Sequence, residues 1–130
     1  MVADLACGKK SLTRARAKVI KFAEEHGFPE EAEDVALATQ EALKNIIQHA
    51  CPADDNMHLE CTADGDRMIV EVSDTGGGFD FSSAANTPTL PMASHGRGIQ
   101  MIRGLMDETK ITSDQEGTLV HMEKRRKPAP

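Results

Sequence analysis

Helical and strand-like periodicities are segregated along this chain instead of alternating, and that order limits its fold more than any other property. From Ser11, the apolar positions Leu12, Ala15, Val19, Phe22 and Ala23 recur at three- and four-residue spacing until Gly27. This predicts an amphipathic helix with Ser11 as its cap. A second helix is predicted from Phe28-Pro29, where Glu30, Glu31, Glu33 and Asp34 suit a positive helix N-terminus. Val35, Ala38, Ala42, Ile46 and Ile47 supply its apolar stripe to about Ala50. Beyond it, Met57, Leu59 and Cys61 alternate with polar neighbours, Ile69, Val70 and Val72 mark a second strand, and Asp64-Gly65 reads as the turn between them. A short helix carrying Ile99, Ile102, Leu105 and Met106 precedes a last strand pair at 109–113 and 118–123. Helices first, strands after, with one helix between two strand pairs, predicts a two-layer α/β sandwich. Its sheet is expected to be mixed and mostly antiparallel, with the helices on one face.

The 130 residues are 39% hydrophobic and 28% charged, a balance that supports one domain with a real core and excludes a disordered chain. Only four residues are aromatic, all Phe, so packing falls to aliphatic side chains and Met, and base stacking has few residues to use. The net charge of −6 is unevenly spread. Six bases (Lys9, Lys10, Arg14, Arg16, Lys18, Lys21) lie near the start, whereas residues 22–123 hold 20 acids against 5 bases. Such an acidic body repels a duplex backbone, and direct nucleic-acid binding is not expected. The absence of a signal-like or membrane-spanning apolar run points to a cytoplasmic chain. Cys7, Cys51 and Cys61 are odd in number and widely separated, which predicts reduced thiols. His49, Cys51, His58 and Cys61 mix a helix end with a strand and are not read as a zinc site. The basic run 124–130 is expected to fray as a flexible tail.

Chemistry concentrates at a few positions. Glu41, Asn45 and His49 follow i, i+4, i+8 spacing, so they share one face of the second helix. A carboxylate and a carboxamide beside Ala42 and Ile46 are expensive if they serve packing alone. After the second strand comes Asp74-x-Gly76-x-Gly78-Phe79, whose glycines permit tight turns and close approach to a ligand. A second pair, Gly96 and Gly98, opens the third helix, and backbone donors at such an end suit phosphate. No Gly-Lys-Ser/Thr follows either cluster, and neither belongs to a βαβ dinucleotide fingerprint. The intervening residues 80–95 form a long segment of the kind that covers sites.

These boxes, with Leu105-Met106-Asp107-Glu108 and Gly117-Thr118, occur in the order seen in the gyrase, Hsp90, histidine-kinase and MutL (GHKL) ATPase superfamily. Over roughly residues 11–124 the chain most resembles the small bacterial anti-sigma factor serine/threonine-protein kinases. The resemblance implies a single histidine-kinase-like ATPase domain over 1–130, the Bergerat ATP-binding fold, with 80–95 as an ATP lid. It implies ATP and Mg²⁺ as cofactors, Glu41 as general base and Asn45 as the metal-coordinating residue. Asp74 would accept the adenine amino group, Gly76 and Gly78 would shape the nucleotide wall, and Gly96, Arg97 and Gly98 would close over the phosphates. Thr118 would help fix the adenine end. The implied function is phosphorylation of a serine on a small STAS-type anti-anti-sigma partner, together with binding of a sigma factor, as a homodimer or a monomer. The basic first helix, with Arg14, Arg16 and Lys18, is a candidate docking surface for a partner. Three departures stand out: residues 1–6 are a thin candidate for the family's first strand, residues 80–94 contain no Lys or Arg, and Arg97 and Lys44 are the nearest cations. Two alternatives stay open, a nucleotide-gated binding module without catalysis and a detached histidine-kinase ATP-binding domain.

Overall fold

The computed structural model describes residues 1–49, 56–74, 93–114 and 117–127, with 49, 93–97 and 113–114 described by their backbone alone. The elements are β1 (Val2–Ala6), α1 (Lys9–Glu25), α2 (Ala32–His49), β2 (Asn56–Asp64), β3 (Arg67–Asp74), α3 (Ala93–Leu105), β4 (Glu108–Asp114) and β5 (Gly117–Arg125). The five strands form one sheet in the order β1-β2-β3-β5-β4, and every described pairing is antiparallel. β5 therefore lies between β3 and β4, which places it at the centre of the second half of the sheet.

Strand alternation builds the core. Met57, Leu59 and Cys61 on β2, Met68, Val70 and Val72 on β3, and Val120 and Met122 on β5 are buried on one face. Against them lie Ala15, Val19 and Ala23 of α1 and Ala38, Ala42 and Ile46 of α2, all fully buried. Alanine at so many contact points lets the helices sit close to the sheet without aromatic bulk. Cys61 is a buried free thiol whose pKa burial pushes up to about 12, against the pull of the N-terminal ammonium.

Several expectations are corrected at the ends of elements. The first strand is present: β1 pairs along β2, and its Leu5 enters the core. Ser11 is not the cap of α1. Gly8 stands at that position, and the buried Ser11 hydroxyl, one turn in, donates to Ala6 O at 2.5 Å, tying the helix to β1. α2 begins at Ala32, so only Glu33 and Asp34 occupy its first turn. Glu31 is instead buried ahead of the helix and accepts the Lys127 N–H through Oε2 at 3.0 Å. The basic end does not trail away at once. Lys124 and Arg125 complete β5, the Arg126 guanidinium lies 4.5 Å from the Phe28 ring centroid, and its Nε donates to Gly27 O at 2.8 Å. Gly27 holds φ of 86°, a value that favours glycine, and a Cβ there would stand 3.2 Å from the Arg126 guanidinium. Cys7, expected to be reduced, is disulfide-bonded.

The face of the sheet away from the helices is polar and charge-paired. His121 places Nδ1 2.8 Å from Glu71 Oε2 and Nε2 2.8 Å from Glu123 Oε2, an arrangement that only the doubly protonated ring satisfies at both nitrogens. The Arg67 guanidinium donates to Glu123 at 2.7 Å, and Lys110 stands opposite His121 on β4. The hydrogen bond to Glu123 is the main reason the His121 pKa is raised, with Glu71 adding to it against partial desolvation. The Glu123 pKa is lowered, chiefly by His121 and further by Arg67. A raised histidine pKa stabilises fully below the ordinary 6.5 and loses that contribution as pH rises through the folded value. A lowered carboxylate pKa stabilises above its ordinary 4.5 and loses it as pH falls. The pair thus contributes in full between pH 4.5 and 6.5. Replacing His121→Gln should lower Tm by roughly 2–4 °C at pH 6, in keeping with a partly exposed ion pair. The difference should shrink on raising the pH to about 9; thermal melts of both proteins across that range check it, and a constant difference contradicts the assignment.

Candidate active site

The candidate site forms where α2, α3 and the ends of two central strands supply polar groups on the helix-facing side of the sheet. α2 packs against β3, β5 and α3. Its apolar stripe turns toward the sheet, and the four-residue spacing then sets Glu41 and Asn45 one above the other along its flank. Asn45 is 5% exposed and so counts as buried, although a carboxamide gains nothing from burial by itself. The Glu41 side chain is mostly covered, and its Oε1 lies 3.4 Å from Lys44 Nζ. Lys44 itself is half exposed, so water and salt screen this pair.

Gly98 brings α3 onto these two side chains. A Cβ built at Gly98 would stand 3.5 Å from Asn45 Oδ1, 3.6 Å from Asn45 Nδ2 and 3.6 Å from Glu41 Oε2. The missing side chain therefore keeps open a cradle bordered by a carboxamide and a carboxylate. A neutral oxygen facing such a space suits a hard cation that keeps most of its other ligands as water or phosphate. The chemistry of Asn45 is thus compatible with the metal-binding role that the family resemblance implies. At the strand ends, Asp74 closes β3 and faces Thr118 of β5 in direct register, and both are buried, at 5% and 2% exposed. A hydroxyl and a carboxylate side by side offer acceptors and a donor of the kind that reads an amino-bearing base edge.

Among the residues singled out in the sequence, the structure brings Glu41, Asn45 and Gly98 together and makes Asp74 and Thr118 sheet neighbours. Gly76 and Gly78 lie outside the described residues, as does most of the expected lid; residues 93–95 of that lid form the first turn of α3. Gly96 and Arg97 also lie in α3, where only the backbone is described. Because α3 starts at Ala93, Gly98 sits beyond the helix's unpaired first amides, and close approach is what its position supplies. On α1, Arg14 and Lys18 are exposed, while Arg16 is ion-paired with Glu33 of α2. Sequence reasoning missed Lys124, whose Nζ donates to Leu105 O at 2.5 Å and lies 3.6 Å from Asp34 Oδ2. Its alternation with Val120 and Met122 was the available signal.

Residues 7–124 match the family model of the histidine kinase-like ATPase domain. The chain belongs to this family. It is 34% identical to the serine-protein kinase RsbW of Bacillus cereus, over 73% of this chain and 64% of that protein. The corresponding protein of Bacillus mycoides is 33% identical, with the same coverage. The chain therefore spans a little under two thirds of the length of these relatives. In three dimensions it resembles the RsbU and RsbW domains of Rv1364c from Mycobacterium tuberculosis, with a TM-score of 0.74 at 18% identity, covering 99% of this chain and 34% of that one. The histidine kinase domain of the Erythrobacter litoralis EL346 blue-light activated histidine kinase gives 0.58 at 19% identity, over 94% and 62% of the two chains. The solved structures establish the shared fold, a helix-covered antiparallel sheet of the Bergerat type. Among the described residues, no helix is long and apolar enough to cross a membrane.

The cradle at Gly98 has a graded tolerance. Gly98→Ala adds one methyl at ordinary contact distance and improves helix propensity by up to about 1 kcal/mol, so stability should hold or rise. Gly98→Val pushes further methyls at Asn45 and Glu41 and should cost roughly 1–3 kcal/mol. Urea unfolding of the two variants checks this order, and equal midpoints would show that α3 does not press on these side chains.

Proposed function

We propose that this chain is an ATP-dependent protein serine kinase that also acts as an anti-sigma regulatory factor in the cytoplasm. The observation that carries the reading is the convergence of Glu41 and Asn45 on the space that Gly98 leaves open. Membership of an ATPase-domain family and likeness to serine-protein kinases named RsbW support it. In this reading Asn45 holds Mg²⁺ on the triphosphate, Asp74 accepts the adenine amino group, and Thr118 helps fix the adenine end. Gly76 and Gly78 form the nucleotide wall, while Gly96, Arg97 and Gly98 lie along the phosphates beneath the lid at 80–95. When bound, Mg²⁺ would neutralise phosphate charge that the acidic body would otherwise repel.

The chemistry asks for positioning more than covalent help. The serine oxygen bonds to the γ-phosphorus as the bond to the ADP oxygen breaks, and Glu41 takes the hydroxyl proton. The substrate would be a small STAS-type anti-anti-sigma protein, and a sigma factor would be the competing partner. The exposed Arg14 and Lys18 of α1 offer a basic docking surface for either. One observation favours a second reading, a nucleotide-gated binding module without transfer. Lys44 pairs with Glu41 through Oε1, and an ammonium beside a carboxylate makes it a weaker base.

Incubation with Mg-ATP and candidate STAS proteins separates the two. Asn45→Ala should lose metal-dependent nucleotide binding, whereas Glu41→Ala should keep most binding and lose transfer by at least about 100-fold. Equal phosphorylation by wild type and both variants would remove the assigned roles. Tight ATP binding without transfer to any STAS protein would select the second reading.

A further inference from the structure

Among the described residues, four large apolar side chains are conspicuously exposed: Val2, Leu37, Met101 and Leu119. Val2 and Leu119 lie on the face of the sheet away from the helices, whereas Leu37 and Met101 belong to α2 and α3, the helices that meet at the Glu41–Asn45–Gly98 cluster. Single exposed apolar residues are ordinary, so their relative placement decides whether these two mean anything.

That placement follows from contacts at the two ends of the helix pair. At one end Gly98 abuts Glu41 and Asn45; at the other, Lys124 reaches both Leu105 O and Asp34 Oδ2. α3 therefore runs antiparallel to α2. Gly98 precedes Leu105 by seven positions and Glu41 follows Asp34 by seven, so the two stretches are matched in length. Met101, three positions after Gly98, falls at the level of Leu37 and Ala38. Leu37 also precedes Glu41 by four positions, which puts it on the same helix face about 6 Å away along the axis. Met101 is 41% exposed and Leu37 36%. Along α2 this apolar spot is bounded by charge, with Glu33 held by Arg16 on one side and the Glu41–Lys44 pair on the other. An apolar centre with a polar rim is the anatomy of a small recognition patch.

We propose that Leu37 and Met101 form the apolar footing for the hydroxyl-bearing segment of the protein substrate. The inference rests on the kinase reading, since a protein hydroxyl that reaches Glu41 must bring its neighbouring side chains over the surface beside Glu41. The occupant is an aliphatic side chain of the substrate lying about one helical turn from the accepting hydroxyl. In an extended segment the residue two positions away lies on the same side at roughly 6.6 Å, which matches the span from Glu41 to Leu37. The flexible Met101 side chain can adapt to more than one aliphatic shape, so the footing favours apolar character over one fixed residue.

The test is phosphoryl transfer from Mg-ATP to the STAS protein that the wild-type chain modifies, measured with the double variant Leu37→Ser, Met101→Ser. KM for the protein substrate should rise at least about tenfold with kcat unchanged, the pattern of lost ground-state binding. Affinity for a fluorescent ATP analogue should stay at the wild-type value, showing that the helix pair is intact. The variant Leu37→Met, Met101→Leu should restore KM, and Val2→Ser, a change at a still more exposed apolar residue on the other face, should leave it unaltered. An unchanged KM in the double serine variant overturns the footing and leaves the kinase reading in place. If the STAS protein binds without being phosphorylated, its Kd is read by the same tenfold criterion. If the wild-type chain neither binds nor modifies any STAS protein, the kinase reading falls and the footing falls with it.

Discussion

The arrangement of the site depends on the approach of α3 to α2 at Gly98. Helix axes usually stand 8–10 Å apart because side chains fill the space between them, and a glycine at the contact removes one layer of that filling. What occupies the seam in its place is polar, the carboxamide of Asn45 and the carboxylate of Glu41. The adjoining sheet-facing stripe of α2 has no such latitude, because Ala38, Ala42 and Ile46 are fully buried. α2 is thus held by an apolar stripe that fixes its rotation, and that rotation obliges Asn45 to be buried too. Burying an amide gains nothing in packing by itself, so the seam is where the fold carries a polar cost.

How much of this was legible in the sequence follows from the range of the interactions involved. The stripes of α1 and α2 and the alternation of β2, β3 and β5 are local patterns, and the structure carries them nearly as written. Ser11 is a residue type that caps helices, yet its hydroxyl found Ala6 O one turn inside, a tertiary choice between two hydrogen bonds that local sequence leaves equal. β1 is short and places one side chain, Leu5, in the core, so its periodicity is too brief to read. Lys124 to Lys127 look like a solvated basic end, and only the ring of Phe28, the carbonyl of Gly27 and the carboxylate of Glu31 show otherwise. The odd cysteine count suggested thiols, while Cys7 is bonded, because the count carries no information on distance.

The same distinction runs through the site. The spacing of Glu41 and Asn45 declares a shared helix face, and no further information is needed to find them. At Gly98 the local pattern is ambiguous, since a glycine near a helix start reads alike whether it donates to phosphate or lets another helix approach. The neighbourhood of Asp74 and Thr118 was out of reach of local reasoning. It depends on β5 entering the sheet between β3 and β4, after the chain has travelled through α3.

β5 also explains why these distant pieces stay in register. Thr118, Val120, Met122 and Lys124 alternate onto the helix-facing side, so one strand presents a site residue at its start, core residues in the middle and an ammonium at its end. That ammonium satisfies Leu105 O at the C-terminus of α3, where carbonyls lack helical partners, and reaches Asp34 in the first turn of α2. The helix seam is therefore pinned through β5 at the end opposite Gly98. A slip of β5 by one residue would turn Leu119, His121 and Glu123 inward and send Val120 and Met122 to the charged face. It would also break both carboxylate bonds of His121 and withdraw Lys124 from the helices. With every alternate position opposed to that slip, the register of a single strand holds Thr118 beside Asp74 and keeps α3 aligned along α2, which is what lets Gly98 meet Glu41 and Asn45.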